Sequence, residues 1–237
     1  MTRLHELDLL SPEPCPLARV GHVRAPTLRQ VAAIGYETYN AYLSLLSLQS
    51  GQLSEASGLP GSAGDSTFDT MAASPELRAF LCAAFSFFLD EDAIFSEVHN
   101  AFLCMKEEQP VGVIDASNYE DVCSCILQRN HVDSARPSGK QFRNEKAREI
   151  YEKLQRAKAK SPKQLPERQA DTSLPNLISA LCVQHNSINM CNVWDLTVYQ
   201  LYDQFLRQSY LNQVHIHAMN YAGWGGEFDP NDWYKKL

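Results

Sequence analysis

The sequence predicts a mainly α protein: a helical domain with a small β element in its middle, a minor α+β component. Three observations carry that reading. Apolar residues recur at three- and four-residue steps over residues 28–46, 77–88 and 196–210, which places them on one helix face. Helix-start signatures stand before these stretches, among them Thr27 with Gln30 and Ser74-Pro75-Glu76. Only residues 94–114 read as sheet.

Taken in order, Pro12, Pro14, Pro16 and Pro26 disfavour a regular helix in residues 1–26. Arg19-Val20-Gly21-His22-Val23-Arg24 alternates polar and apolar, as a short edge strand or an extended arm would. Thr27 then caps one helix, whose buried face is Leu28, Val31, Ala32, Gly35, Tyr39, Tyr42, Leu43 and Leu46. Residues 49–70, with Gly58-Leu59-Pro60-Gly61-Ser62-Ala63-Gly64, read as a flexible Gly/Ser loop. Ser74 caps a second helix running to about Leu89. Residues 94–105 and 111–114, joined by a turn at Gln109-Pro110, fit two strands or a strand and a helix equally well. Ser117 with Glu120 opens a short helix through Leu127, and residues 129–139 form a polar linker.

Residues 142–160 read as a charged helix, with Glu149/Lys153 and Glu152/Arg156 attractive and Glu145/Glu149 repulsive at four-residue spacing. Low hydrophobicity predicts mobility over residues 156–172. Leu177, Leu181 and Val183 follow on a short helix. Asp195 is expected to cap the longest helix, which carries Leu196, Tyr199, Leu201, Tyr202, Phe205, Leu206 and Tyr210 and is stopped by Gly223, Gly225 and Gly226. It is expected to be a central packing element, with Trp233 and Tyr234 of the tail docking on the core. This organises the chain as an N-terminal helical region with a short β element (1–130), a charged helix and linker (131–173), and a C-terminal helical region (174–237) packing on the first.

The 237 residues carry a net charge of −7. Residues 140–168 hold ten basic and four acidic side chains, a local +6 that leaves −13 on the rest. Such a body disfavours broad affinity for nucleic acid or anionic membranes. Seven cysteines, an odd number without C-x-x-C spacing, fit a reducing compartment. The polar N-terminus is no secretory signal, and residues 77–89 are too short to span a bilayer, so a cytosolic protein is expected.

No pattern of residues predicts chemistry. His215-Ile216-His217 and Cys123-Ser124-Cys125 are two apart, so on a helix each pair diverges. Cys182 and His185, with Cys191 nearby, fall short of zinc-ligand spacing, and no metal or cofactor is expected. Gly223-Trp224-Gly225-Gly226 follows a helix and lacks the Lys-Ser/Thr of a phosphate loop. Asp90-Glu91-Asp92 reads as a solvated acidic turn. No activating context surrounds a Cys or Ser, although His185 or His215 against a cysteine or carboxylate would make a hydrolase. Two contact surfaces remain. Lys146, Arg148, Lys153 and Arg156 on the basic helix suit an acidic partner or nucleic acid, with a solvated face as the plainer reading. Tyr199, Tyr202 and Phe205 suit a core face or a partner groove, tyrosine combining apolar area with a hydroxyl.

Val23-Arg24-Ala25-Pro26-Thr27-Leu28, leading into Ile34-Gly35 and Tyr39, Tyr42 and Leu43, is similar to the start of small proteins encoded in tail modules of long-tailed phages and prophages of Gram-positive bacteria. Asn192-Val193-Trp194-Asp195-Leu196-Thr197-Val198-Tyr199-Gln200-Leu201-Tyr202-Asp203-Gln204-Phe205 resembles their end. The resemblance implies a tail assembly chaperone of the host cytoplasm, which binds the tape-measure protein and recruits tail-tube subunits without chemistry. A structural component of the particle and a nucleic-acid-associated regulator using residues 142–160 are the alternatives, and oligomerisation is left open.

Overall fold

The computed structural model describes residues 3–48, 66–132, 173–225 and 227–234. The charged helix expected over 142–160, the mobility expected over 156–172 and most of the expected Gly/Ser loop fall outside these residues, as does the expected docking of the Trp233 and Tyr234 side chains. The chain divides into two compact units, 1–134 with 177–237, and 135–176. The second contributes only the opening of one helix to the described residues.

The fold is mainly α with two small antiparallel sheets. Its elements are α1 (Glu6–Leu10), β1 (Cys15–Leu17), β2 (Gly21–Val23), α2 (Leu28–Ile34), α3 (Tyr36–Ser47), α4 (Thr67–Ala73), α5 (Pro75–Phe88), β3 (Asp92–Ser96), β4 (Ala101–Lys106), β5 (Gln109–Ile114), α6 (Tyr119–Arg129), α7 (Leu174–Gln184) and α8 (Val198–Trp224). The short helix α1 ends before the first proline and was not expected. Residues 67–70, expected in the loop, instead open α4, capped by Ser66 and burying Thr67, Phe68 and Met71.

The helix expected from Thr27 is two helices. Gly35 adopts φ +90°, a conformation that side-chain-bearing residues avoid, and it breaks the stripe between Ile34 and Tyr36. Ala32, expected on the buried face, is exposed.

The ambiguity over residues 94–114 is resolved as a three-stranded sheet in the order β3-β4-β5. Its second turn lies at Glu107 and Glu108, both with positive φ, as a two-residue hairpin requires; Gln109 and Pro110, expected in the turn, belong to the edge strand β5. Phe102 and Cys104 alternate inward on β4, and Phe102 is the hub of the core. Its ring meets Phe85 at 5.3 Å, Phe68 at 6.1 Å and Phe95 at 5.0 Å, all near edge-to-face.

The hairpin β1–β2 covers the free edge of this sheet. Val113 N–H donates to the Arg19 carbonyl (2.8 Å), and a Cβ at Gly112 would run into the Val20 backbone carbonyl, so only glycine allows this approach. On its other side, Arg24 N–H donates to Phe88 and Asp90 N–H to His22 (2.9 and 3.0 Å). Glu91, expected in a solvated turn, is 2% exposed. It accepts hydrogen bonds from the His22 backbone and ring, both at 3.0 Å. Burial works to raise its pKa, but the His22 bonds outweigh it and hold the carboxyl below its ordinary value.

Helix α6 starts at Tyr119 rather than at a Ser117 cap. Ser117 turns back to the Asp115 carboxylate, and Asn118 Oδ1 accepts from Asp115 N–H (2.8 Å). Arg129 and Asn130, expected in a linker, are buried at its end, and Asn130 Oδ1 accepts from the Tyr39 hydroxyl (2.9 Å). On α7, Leu177 and Leu181 are buried, while Val183 is 83% exposed.

The cap of α8 is Thr197, not Asp195, which lies in a short 3-10 turn. Thr197 forms a capping box with Gln200, as Thr27 does with Gln30. The two capped starts are bonded to each other: Leu28 N–H donates to the Leu196 carbonyl (2.9 Å) and Val198 N–H to that of Pro26 (3.3 Å). Of α8, only Val198, Leu201 and Val214 are buried, so its packing is concentrated in the first turns, with Val214 a single further contact. Its end at Gly225, φ +72°, is as expected.

Two measurements test this framework. Thr197→Ala is expected to cost about 1–2 kcal/mol in urea unfolding, and to combine with Thr27→Ala non-additively by about 0.5–1 kcal/mol, since the two caps share one bonded junction. Glu91→Gln is expected to cost about 1–3 kcal/mol at pH 7. Because its folded pKa is depressed, the carboxylate's contribution is complete above the ordinary value of 4.5 and is lost as pH falls through the folded one, so wild type and variant should converge in acid.

Candidate partner-binding cleft

Residues 3–10, the end of α6 and the first turns of α8 enclose a cleft of about 900 Å³. Tyr199, Asp203 and Arg207, four apart, present one face of α8 to it. Leu4, His5, Glu6, Leu9 and Leu10 form the opposite wall, and Gln128, His131 and Val132 the third.

Polar tethers of long sequence reach hold the N-terminal wall. Leu4 N–H donates to Gln128 Oε1 (3.1 Å), and Gln200, the capping-box residue of α8, donates Nε2–H to the Leu10 carbonyl (2.8 Å). The Arg129 guanidinium, 1% exposed, donates to the carbonyls of Ser11 (3.1 Å) and Glu13 (2.7 Å). Burial lowers its pKa, offset by Cys15 beside it and by the charge of Asp8.

The third wall follows from how α6 ends. Val132 N–H bonds the Leu127 carbonyl (2.9 Å) and His131 N–H that of Gln128 (3.1 Å), a Schellman motif with His131 in the left-handed position at φ 56°. That turn lays the His131 ring flat on Tyr202, with centroids 4.6 Å apart and planes 10° apart, and 5.5 Å from Tyr199. The result is an aromatic shelf beside a rim of both charge signs. Asp203 accepts from Arg207 Nε at 3.0 and 2.9 Å, and burial pushes the Tyr202 hydroxyl pKa up.

Of the residues expected to bind a partner, Tyr199 lines this cleft and Tyr202 stacks behind His131. Phe205 is half-buried and does not line it. Lys146, Arg148, Lys153 and Arg156 lie outside the described residues. His131 carried no sequence signal, because a glycine, not a histidine, announces its turn.

The groups weighed for metal or catalysis are scattered. His185 Nδ1 accepts the backbone N–H groups of Ser187 (3.2 Å) and Ile188 (3.0 Å), closing the turn after α7. Cys191, His215 and His217 are exposed. Among the described residues, no three His, Cys, Asp or Glu side chains converge on one point. Burial pushes the thiols of Cys104 and Cys123 up to about 12 and that of Cys125 to about 11. No helix of the described residues is long and apolar enough to cross a membrane.

Residues 162–237 match the family model of the YomV second domain, a phage-associated domain family. The matched stretch contains α8 with Tyr199, Tyr202 and Phe205. No curated protein and no solved structure matches the chain.

Full burial of Phe205 would make its removal cost about 3–5 kcal/mol. Half-buried, Phe205→Ala is expected to cost about 2 kcal/mol by thermal unfolding.

Proposed function

We propose that the protein is a non-enzymatic phage assembly protein, specifically a tail assembly chaperone that holds a segment of the tape-measure protein in the cleft beside α8 while tail-tube subunits are recruited. The shelf of His131 on Tyr202, next to Tyr199, carries the reading. Flat rings supply apolar area with polar edges, and the rim of Arg3, Glu6, Asp203 and Arg207 supplies both charge signs, which suits a peptide segment of mixed character. The phage-associated match on residues 162–237 supports the setting.

The state of the reactive groups supports binding over catalysis. Among the described residues lining the cleft none is Cys, Ser or Thr. Asp203 is engaged by Arg207, and His5 Nδ1 accepts the Leu7 N–H that it caps (3.2 Å). Thiols raised to 11–12 are protonated at neutral pH and poor nucleophiles. The reading takes protein partners, no cofactor and no membrane, and places the work in the bacterial host cytoplasm.

The test is co-expression with the tape-measure and tail-tube proteins of the same phage, followed by affinity capture. His131→Gly suits it well, because glycine favours the left-handed turn position while the shelf is removed. Capture of the tape-measure protein is expected to fall at least tenfold in His131→Gly and in Tyr199→Ala, with the melting temperature of His131→Gly not lowered. Undiminished capture would remove the cleft from the reading. Recovery of the chain from purified virions by mass spectrometry would make it a structural component instead.

A further inference from the structure

The Arg129 guanidinium is the meeting point of two thiols. Its Nη2 carries both carbonyl bonds, to Ser11 and Glu13, while its buried Nε–H has no hydrogen-bond partner. Cys125 precedes Arg129 by four residues on α6, so the two side chains share one helix face. Cys15 follows the gripped Glu13 carbonyl by two residues, and its side chain lies against the guanidinium. The two sulfurs also act on each other beside this charge.

The pair is unequal in access and held stiffly. Cys15 is half-buried and Cys125 1% exposed, so a small solute meets Cys15 first. Pro14 and Pro16 restrict the backbone on both sides of Cys15, which stands in register with the buried Val23. Cys125 is fixed inside α6, where burial pushes its thiol up to about 11. A buried donor such as Arg129 Nε–H is costly to leave without an acceptor. An oxygen bonded to the Cys15 sulfur would supply one.

We propose that Cys15 and Cys125 are a peroxide-sensitive pair: a hydroperoxide oxidises Cys15, and Cys125 converts the product to a disulfide joining β1 to α6. In the first step the Cys15 sulfur, its proton given up to water, attacks the nearer peroxide oxygen. The O–O bond breaks, and the far oxygen takes up a proton and leaves as an alcohol or water. The sulfenic oxygen then lies beside the Arg129 Nε–H. In the second step the Cys125 sulfur displaces that oxygen as hydroxide, which takes the Cys125 proton and leaves as water. Two thiols lose two electrons, and one peroxide accepts them. The new bond duplicates the grip of Arg129 and closes a loop of about 110 residues, so it fixes the N-terminal wall of the cleft covalently.

The test uses the isolated protein and needs no partner: treatment with stoichiometric hydrogen peroxide in neutral buffer, then tryptic mapping without reductant. Residues 4–19 and 107–129 are expected as one cross-linked peptide, about 2 Da lighter than the two thiol peptides together. The link should form before the exposed Cys191 is oxidised and be reversed by dithiothreitol. It should raise the melting temperature by roughly 5–10 °C. Residues 107–129 also hold Cys123, so the link should persist in Cys123→Ser and vanish in Cys15→Ser and Cys125→Ser. In Cys125→Ser a dimedone adduct, the mark of a sulfenic acid, should accumulate at Cys15 instead. The wild-type map depends on no variant folding. A wild-type map with Cys191 oxidised and residues 4–19 unlinked would overturn the proposal, as would a link that survives in Cys125→Ser.

Discussion

Everything of functional interest on α8 depends on how its first turn is held. Thr197 and Thr27 each cap a helix through a reciprocal box with the glutamine three residues on, and the two starts exchange backbone hydrogen bonds across Pro26–Leu196 territory. A helix N-terminus leaves four backbone donors without partners inside the helix. Here each start satisfies one of the other's donors, and Thr197 is fully buried in doing so. The junction therefore specifies position and direction together. A slip of one residue would break two backbone bonds and misalign both boxes, whereas a purely apolar contact would tolerate sliding.

With its start fixed, α8 has three regimes along one axis. Val198 and Leu201 lie in the core, Tyr199, Asp203 and Arg207 face the cleft, and past Arg207 Val214 is the one buried residue while Asn212 and Tyr210 bond to Gln184 and to the Asp232 carbonyl. The cleft wall opposite is not held by apolar packing, since Leu7 and its neighbours on α1 are exposed or half-buried. It is held by the tethers to Gln128, Gln200 and Arg129. A buried guanidinium bonded to carbonyls is a costly way to fasten a chain, and removing it would strand both its desolvated partners. In return it sets the N-terminal segment at one distance from α8, which dispersion contacts would not do.

Much of this was legible in the sequence where a local rule and the tertiary environment agree. Thr27 with Gln30 and Ser74-Pro75 open helices as read, and of the apolar face expected on α5, Leu77, Phe80, Leu81, Ala84, Phe85 and Phe88, the last four are buried while Leu77 is half-buried and Phe80 exposed. The failures have physical causes. Periodicity runs through Gly35 undisturbed, so a break set by a positive φ left no mark in the pattern. Asp195 and Thr197 are both good caps, and what chose Thr197 is the bonding of its neighbours to residues 26 and 28, some 170 positions away. Glu91 looked solvated because its partner His22 comes from a hairpin 69 residues earlier. At the cleft, Tyr199 and Tyr202 stood out as aromatic surface, but His131, the residue that organises them, was hidden in what read as a linker.

The cleft face and the uncharged distal half of α8 present chemically opposite surfaces on one helix, and that difference decides what each can discriminate. A rim carrying Arg3, Glu6, Asp203 and Arg207 rejects a segment whose charges oppose its own and orients one whose charges match, so it selects by sign and position. An uncharged stripe has no such power. It discriminates only by shape and apolar area, and it excludes any partner obliged to bury a charge against it. Because both lie on α8, whose direction the paired caps determine, the geometry of the cleft and the course of the distal half of the helix are set by the same two threonines.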